Sequence, residues 1–413
     1  MKLSPFAPAD LAHLPPIEGV RFATAEAGIK YKNRTDLLLG VFDEGTVAAG
    51  VLTQSKTCSA PVLRCRANLA APGAEARALV VNSGNANAFT GRRGADCVAI
   101  TVDAARAATG AGAHGVYVAS TGVIGEPLDP EKFTGLLPGL AKSAAPDRFE
   151  AAARAIMTTD TYPKLATRTA EIGGVAVRIN GFCKGAGMIA PDMATMLCFM
   201  FTDAAIAQPV LQQLVTRHAQ TTFNCMTIDG DTSTSDTCLL FATSAAKGRG
   251  QTPVTKLDDP ALAGFSAALH EVMRDLAIQV AKDGEGLSKF VTFNVTGAES
   301  FEAARTIALA CANSPILKAA IAGQDPNWGR VVMAVGKSGE AADRDRLAIT
   351  FGPHQVAEHG ERAASYVEKT AAAYMKGSEI VIGIDVGVGK GAATVWTCDL
   401  THDYISINAD YRS

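Results

Sequence analysis

The sequence predicts an α/β or α+β protein, and three observations carry that expectation. The chain has 413 residues, of which 48% are hydrophobic and 39 are glycine, enough for a large, closely packed core. Apolar segments of strand length recur from the first fifty residues to the last twenty-five. Between them lie segments with helical spacing of apolar residues. A length prior of about 150 residues per domain suggests two or three folding lobes.

The predicted strands are Thr46–Leu52, Ala78–Val81, Val116–Ala119, Val175–Ile179, Thr195–Phe201, Cys238–Ala242, Phe290–Val295, Glu379–Ile384 and Ala393–Cys398. The clearest helix runs over Pro260–Ala281. There Leu262, Phe265, Leu269, Val272, Met273, Leu276 and Val280 recur at steps of three and four, which builds one buried face. Asp259 before Pro260 is a good cap and first-turn pair. Shorter helices are expected over Ala95–Ala108, Pro209–Gln220 and Glu302–Cys311. The chain shows no internal repeat and no low-complexity linker.

Charge and cysteine usage exclude several classes of function. The net charge is −3, which draws the chain neither to nucleic acid nor to anionic lipid. The nine cysteines contain no C-x-x-C pair, a pattern that fits neither zinc fingers nor a disulfide framework but does fit free thiols in a reducing compartment. No metal site is expected. The N-terminal residues have prolines and an acid where a signal peptide has an apolar run, and no apolar stretch is long enough to span a bilayer. The expectation is a cytoplasmic protein without a membrane or nucleic-acid partner.

The segment that concentrates chemistry is NGFCKGAGMIAPDMATMLCFM, Asn180–Met200. Glycines and a proline build a constrained turn, an apolar strand follows, and Thr195 stands at the junction. A threonine opening a strand is ordinary, because β-branched residues favour strands. The same placement also suits self-cleavage. The Thr195 hydroxyl attacks the carbonyl of Ala194, the acyl group moves from nitrogen to oxygen, and hydrolysis frees an α-amine beside the hydroxyl. Such an amine titrates at about 7.7–8.0, so one residue supplies both nucleophile and base.

KGAGMIAPDMATML resembles the processing-site signature of the ornithine acetyltransferase family, also called the bifunctional glutamate N-acetyltransferase/amino-acid acetyltransferase family. Further similar segments follow in the family's order: VNSGNANAFTG (Val81–Gly91), ASTGVIG (Ala119–Gly125), MTTDTYPK (Met157–Lys164), TIDGDTSTSD (Thr227–Asp236), DGEGLSK (Asp283–Lys289), GQDPNWGR (Gly323–Arg330) and INADYRS (Ile407–Ser413). They span essentially the whole chain.

The resemblance implies a layered, N-terminal-nucleophile-like self-processing α/β (α+β) fold with a further C-terminal α/β lobe. It implies cleavage between Ala194 and Thr195 into fragments 1–194 and 195–413, interleaved in one fold and paired as an α2β2 heterotetramer. The implied reaction, a step of arginine biosynthesis, moves an acetyl group from N2-acetyl-L-ornithine to L-glutamate by double displacement through acetyl-Thr195. Thr121 and Gly122 match the family's oxyanion pair, Thr121 through its hydroxyl and Gly122 through its backbone N–H. Thr158, Lys184, Thr195, Glu285, Asn408 and Ser413 match its substrate-binding positions. Family members commonly end in threonine; Ser413 keeps the hydroxyl and loses a methyl. No cofactor is required, and acetyl-CoA is admitted as a second acetyl donor.

Taken singly, several of these residues have plainer readings. Ser120-Thr121-Gly122 reads as a polar turn ending a strand, Lys184 as a surface lysine, and Glu285 as a solvated loop acid. Other motifs fail on context. Gly185-x-Gly187-x-x-Ala190 runs into Pro191 rather than a helix, so it is no dinucleotide fingerprint. Gly387–Gly391 has Ile384 where a phosphate loop needs its first glycine, and reads as a turn between strands. Two other functional classes share the sequence features: an N-terminal-nucleophile amidase or peptidase, and an uncleaved, non-catalytic amino-acid-binding protein.

Overall fold

The structure is a computed structural model that describes residues 2–190 and 196–409. Its first nine strands are β1 (Val20–Ala25), β2 (Leu37–Phe42), β3 (Val47–Leu52), β4 (Ala78–Asn85), β5 (Val116–Val123), β6 (Lys164–Ile172), β7 (Val175–Lys184), β8 (Leu197–Thr202) and β9 (Thr237–Ala242). They form two sheets, ordered β1-β2-β4-β5 and β3-β9-β8-β7-β6. In the second sheet β8 lies antiparallel to β7 and parallel to β9, so the two strands that follow residue 195, β8 and β9, are inserted between strands that precede it.

β8 explains how the sheets stack. All six of its residues are buried. Side chains alternate faces along a strand, so Leu197, Phe199 and Phe201 point one way and Cys198 and Met200 the other. The first set meets β1, β2, β4 and β5 in a common core with Phe22, Phe42, Leu79 and Tyr117. Phe42 stacks on Phe241 at 4.5 Å between ring centroids, and Phe241 on Phe201 at 5.6 Å. The second set packs with the helices Gln208–Thr221 and Ala263–Ala281. The helix Gly91–Thr109 covers the opposite face of the first sheet. The result is a four-layer helix–sheet–sheet–helix sandwich.

The C-terminal strands are β10 (Phe290–Ala298), β11 (Ala348–Phe351), β12 (His354–Glu358), β13 (Glu361–Arg362), β14 (Glu379–Asp385) and β15 (Gly391–Cys398). They make a third sheet, ordered β13-β12-β11-β14-β10-β15. The helix Phe301–Ala312, capped by the Ser300 hydroxyl, packs on it through Ala304, Ile307, Ala308 and Cys311. This is the expected C-terminal α/β lobe.

Most expected elements are found at their places, with extended ends. The 260–281 pattern opens as a 3-10 turn, Pro260–Leu262, with the Asp259 carboxylate accepting from the Ala261 N–H, before the α-helix proper. The strand expected from Thr195 is described from Leu197; its first residue lies outside the described residues. The polar stretch after Ala119 is not a turn, because β5 continues through Val123 and pairs with β4 there. Among the described residues no helix is long and apolar enough to cross a membrane. All nine cysteines are free thiols, and all but Cys58 are buried.

Candidate active site

Six of the residues singled out by the motifs converge. Thr121, Gly122, Thr158, Lys184, Glu285 and Asn408 line one cavity of about 250 Å³, although they come from five separate stretches of chain. Met196 and Leu197, which follow Thr195 directly, line it too. Ala194, Thr195 and Ser413 lie outside the described residues.

Thr121 and Gly122 are set by the β4–β5 pairing, which carries a bulge at Asn85. Gly122 has φ +131°, and a Cβ there would stand 2.3 Å from the Gly84 carbonyl carbon and 2.5 Å from the Asn85 nitrogen. Only glycine lets the two backbones approach this closely.

Lys184 ends β7 and turns inward, with only 8% of its surface exposed, so it is not a surface lysine. Its Nζ donates to Thr158 Oγ1 at 2.7 Å and lies 3.4 Å from Thr121 Oγ1. Burial draws Lys184 below the ordinary lysine range, and Lys164 adds to that; Asp160, Glu285 and Asp236 act against it. Glu285, also 8% exposed, is no solvated loop acid. Its N–H donates to the Ala186 carbonyl at 2.9 Å, and its carboxylate lies over Gly187, where a Cβ would come within 2.5 Å of Oε2.

The helix His402–Ala409 is tied to the site by Asn408, whose Nδ2 donates to Glu285 Oε2 at 2.7 Å. Tyr404 on the same helix contacts Asp229 at 3.2 Å, and the Asp229 carboxylate accepts from the N–H groups of Met188 and Ile189. Asp229 of the acid-rich TIDGDTSTSD segment therefore holds the glycine turn in place.

Sequence reasoning did not single out the other polar lining, Thr159 and Ser233–Asp236. Asp236 is 2% exposed and its Oδ2 has no hydrogen-bond partner among the described residues. Burial pushes its carboxyl well above the usual range, against hydrogen bonds from Ser233 and the charge of Lys184. Beneath the cavity lies a second unanticipated feature, a buried ion network in which Lys164 Nζ reaches Asp160 Oδ1 at 2.6 Å and Asp283 Oδ2 at 2.5 Å. These residues stand in MTTDTYPK and DGEGLSK, so the motifs contained them; their pairing across 119 positions was the missing information.

Chemically, the cavity offers a cation, a carboxylate facing it, threonine hydroxyls and a backbone strand laid open by a glycine. That set suits a small zwitterionic ligand with a carboxylate at one end and an ammonium at the other.

Comparison with known proteins agrees over nearly the whole length. The model of the ArgJ family matches residues 21–413. The "Arginine biosynthesis bifunctional protein ArgJ" of Rhizobium meliloti (strain 1021) is 60% identical over 411 residues, covering 100% of this chain and 99% of that protein. The protein of the same name from Brucella suis biovar 1 (strain 1330) is 57% identical over the same shares. A crystal structure of the arginine biosynthesis bifunctional protein argJ from Bacillus halodurans is 36% identical, with a TM-score of 0.48 over 50% of this chain and 95% of that one. The chain belongs to the ArgJ family, enzymes of arginine biosynthesis.

Proposed function

We propose that the protein transfers the acetyl group of N2-acetyl-L-ornithine to L-glutamate through an acetyl ester on Thr195. One observation carries the reading: six residues that match the family's oxyanion and substrate positions line a single cavity. In the first half-reaction the Thr195 hydroxyl attacks the acetyl carbonyl. An oxygen–carbon bond forms, the amide carbon–nitrogen bond breaks, and the departing amine of ornithine takes the hydroxyl proton. In the second, the α-amine of glutamate attacks the ester, the carbon–nitrogen bond forms, the ester carbon–oxygen bond breaks, and a proton from the amine returns to the Thr195 oxygen. Negative charge developing on the carbonyl oxygen is met by the Thr121 hydroxyl and the Gly122 N–H, donors of a kind whose single loss costs roughly 10²–10³ in rate.

Donor and acceptor share an α-carboxylate, the natural partner of the Lys184 ammonium. Glu285, steadied by Asn408, suits the side-chain ammonium of the donor. Thr158 holds Lys184 in line, and Ser413 completes the binding set. The reading includes self-cleavage between Ala194 and Thr195, because the freed α-amine is the base that accepts the hydroxyl proton. The insertion of β8 and β9, from 195–413, between β3 and β7, from 1–194, in one sheet supports fragments that stay together, and the reading pairs them as an α2β2 heterotetramer. Acetyl-CoA serves as a second acetyl donor to glutamate, in keeping with the "bifunctional" names of the relatives.

The test is a transfer assay with labelled N-acetylornithine. Label in acetylglutamate, appearing only when glutamate is present, is the expected result. Acetate released at a comparable rate without glutamate would make the protein a hydrolase. Thr195→Ala should give an uncut, inactive chain; an active variant refutes the role given to Thr195.

A further inference from the structure

We propose that Asp160 is a positioning residue of this site: it clamps the backbone on both sides of the cavity and supplies the fixed countercharge of Lys184. Its carboxylate is 0% exposed and fully engaged. Oδ1 accepts from the Gly185 N–H at 2.6 Å and from Lys164 Nζ at 2.6 Å; Oδ2 accepts from the Thr158 N–H at 3.0 Å. The first bond fixes the residue that follows Lys184, and the last fixes the residue that receives Lys184's own hydrogen bond. One side chain thus sets the separation between the end of β7 and the 157–163 loop, and so the position of the lysine ammonium.

The network beneath divides the work. Asp283 takes the other side of Lys164 and accepts from the Thr161 N–H and hydroxyl, with no hydrogen bond to Thr158, Lys184 or Gly185 among the described residues. Burial pushes the Asp160 carboxyl up, but the ammonium groups of Lys164 and Lys184 outweigh it and hold it well below the usual carboxylate range. The charged and titratable groups facing Lys184 are Asp160, Lys164, Glu285 and Asp236. Of these, Glu285 faces the ligand and burial pushes the Asp236 carboxyl well above the usual range, so Asp160, held well below it, is the firmest countercharge whether or not substrate is bound. Without it, burial and Lys164 act on Lys184 with much less opposition.

The inference rests on the acetyl-transfer reading for its kinetic effect, but its test does not. Competitive labelling of lysines with an acylating reagent, read by mass spectrometry of the whole protein, reports the titration of Lys184 directly. In Asp160→Asn the labelling midpoint of Lys184 should fall by about one pH unit or more, the shift expected on losing a neighbouring opposite charge. In Asp283→Asn it should stay where it is in the wild type. In the transfer assay, the alkaline limb of kcat/KM should move down with the labelling midpoint. Asp160→Glu, which keeps the charge but lengthens the clamp, should keep the alkaline limb and raise KM. An unchanged Lys184 midpoint in Asp160→Asn overturns the countercharge, and an unchanged KM in Asp160→Glu overturns the clamp. If Asp160→Asn does not fold, the Glu variant and the Asp283→Asn control still decide between positioning and mere stability. A wild-type protein that transfers no acetyl, with the Lys184 midpoint still falling in Asp160→Asn, would sink the function and leave this inference standing.

Discussion

Replacing Gly122 by alanine tests the geometry of the site at its tightest point. The added Cβ would lie 2.3 Å from the Gly84 carbon, 2.5 Å from the Asn85 nitrogen and 2.6 Å from the Gly84 oxygen, all backbone atoms that cannot rotate away. Relief requires β4 and β5 to separate by roughly 1 Å, since ordinary carbon contacts lie near 3.5 Å. Gly122 also has φ +131°, where an L side chain is strained. Strained backbone costs about 1–3 kcal/mol and forced overpacking about 1–3 kcal/mol, so the loss should be about 2–6 kcal/mol. Gly45 supplies the control, because its φ is +81° and an alanine Cβ there meets nothing within 4 Å. Gly45→Ala should cost only about 1–2 kcal/mol, the price of the left-handed conformation alone. Urea unfolding of both variants, with transfer activity of whatever folds, separates the two contributions. A Gly122→Ala protein no less stable than Gly45→Ala would refute the close approach of β4 and β5.

Three further outcomes follow from the same architecture. Phe201, fully buried where the two sheets meet and 5.0 Å from Phe22 between ring centroids, should cost about 3–5 kcal/mol on truncation to alanine and much less on change to leucine; a calorimetric melt that barely moves for Phe201→Ala would contradict the stacked-sheet core. Asn408→Ala removes the bond to Glu285 and should lower kcat/KM for acetylornithine by roughly 5–30-fold, about 1–2 kcal/mol, with little change in melting temperature; wild-type kinetics would detach the C-terminal helix from the site. Asp236 has its folded-state pKa raised by burial, so its stabilising contribution is present below its unfolded value of about 3.9 and is lost as pH rises, at about 1.4 kcal/mol per unit while the folded carboxyl keeps its proton. Asp236→Asn should flatten that dependence as pH rises above about 4, as followed by urea midpoints; equal slopes in both proteins would show that Asp236 is ionised in the fold.

How much the sequence disclosed depended on the range of the interaction. β8 was legible because its apolar run has both faces covered, and the 263–281 helix because its spacing is regular and Asp259 marks its start. β2, LLLGVF, escaped notice because a short apolar run has no period that separates strand from helix. β6, KLATRTAEI, is the edge strand of its sheet; Thr167, Arg168, Thr169 and Glu171 leave its pattern too polar to announce itself. β5 looked as if it stopped at Ala119 because serine, threonine and glycine signal a turn locally, yet pairing with the Gly84–Asn85 bulge keeps the backbone extended. Likewise the site residues were visible in their motifs, but the burial of Lys184, and the meeting of Lys164 with Asp283, are set by sheets and helices folded from distant segments.

The central claim is that Thr195 becomes an N-terminal residue and carries the acetyl group. Denaturing mass spectrometry of the wild-type protein after brief incubation with N-acetylornithine, without glutamate, tests both parts at once. The account predicts two fragments, 1–194 and 195–413, with the second one acetyl group heavier and losing that mass when glutamate is added. A single intact chain, or a 195–413 fragment that never gains an acetyl group while transfer proceeds, would contradict it.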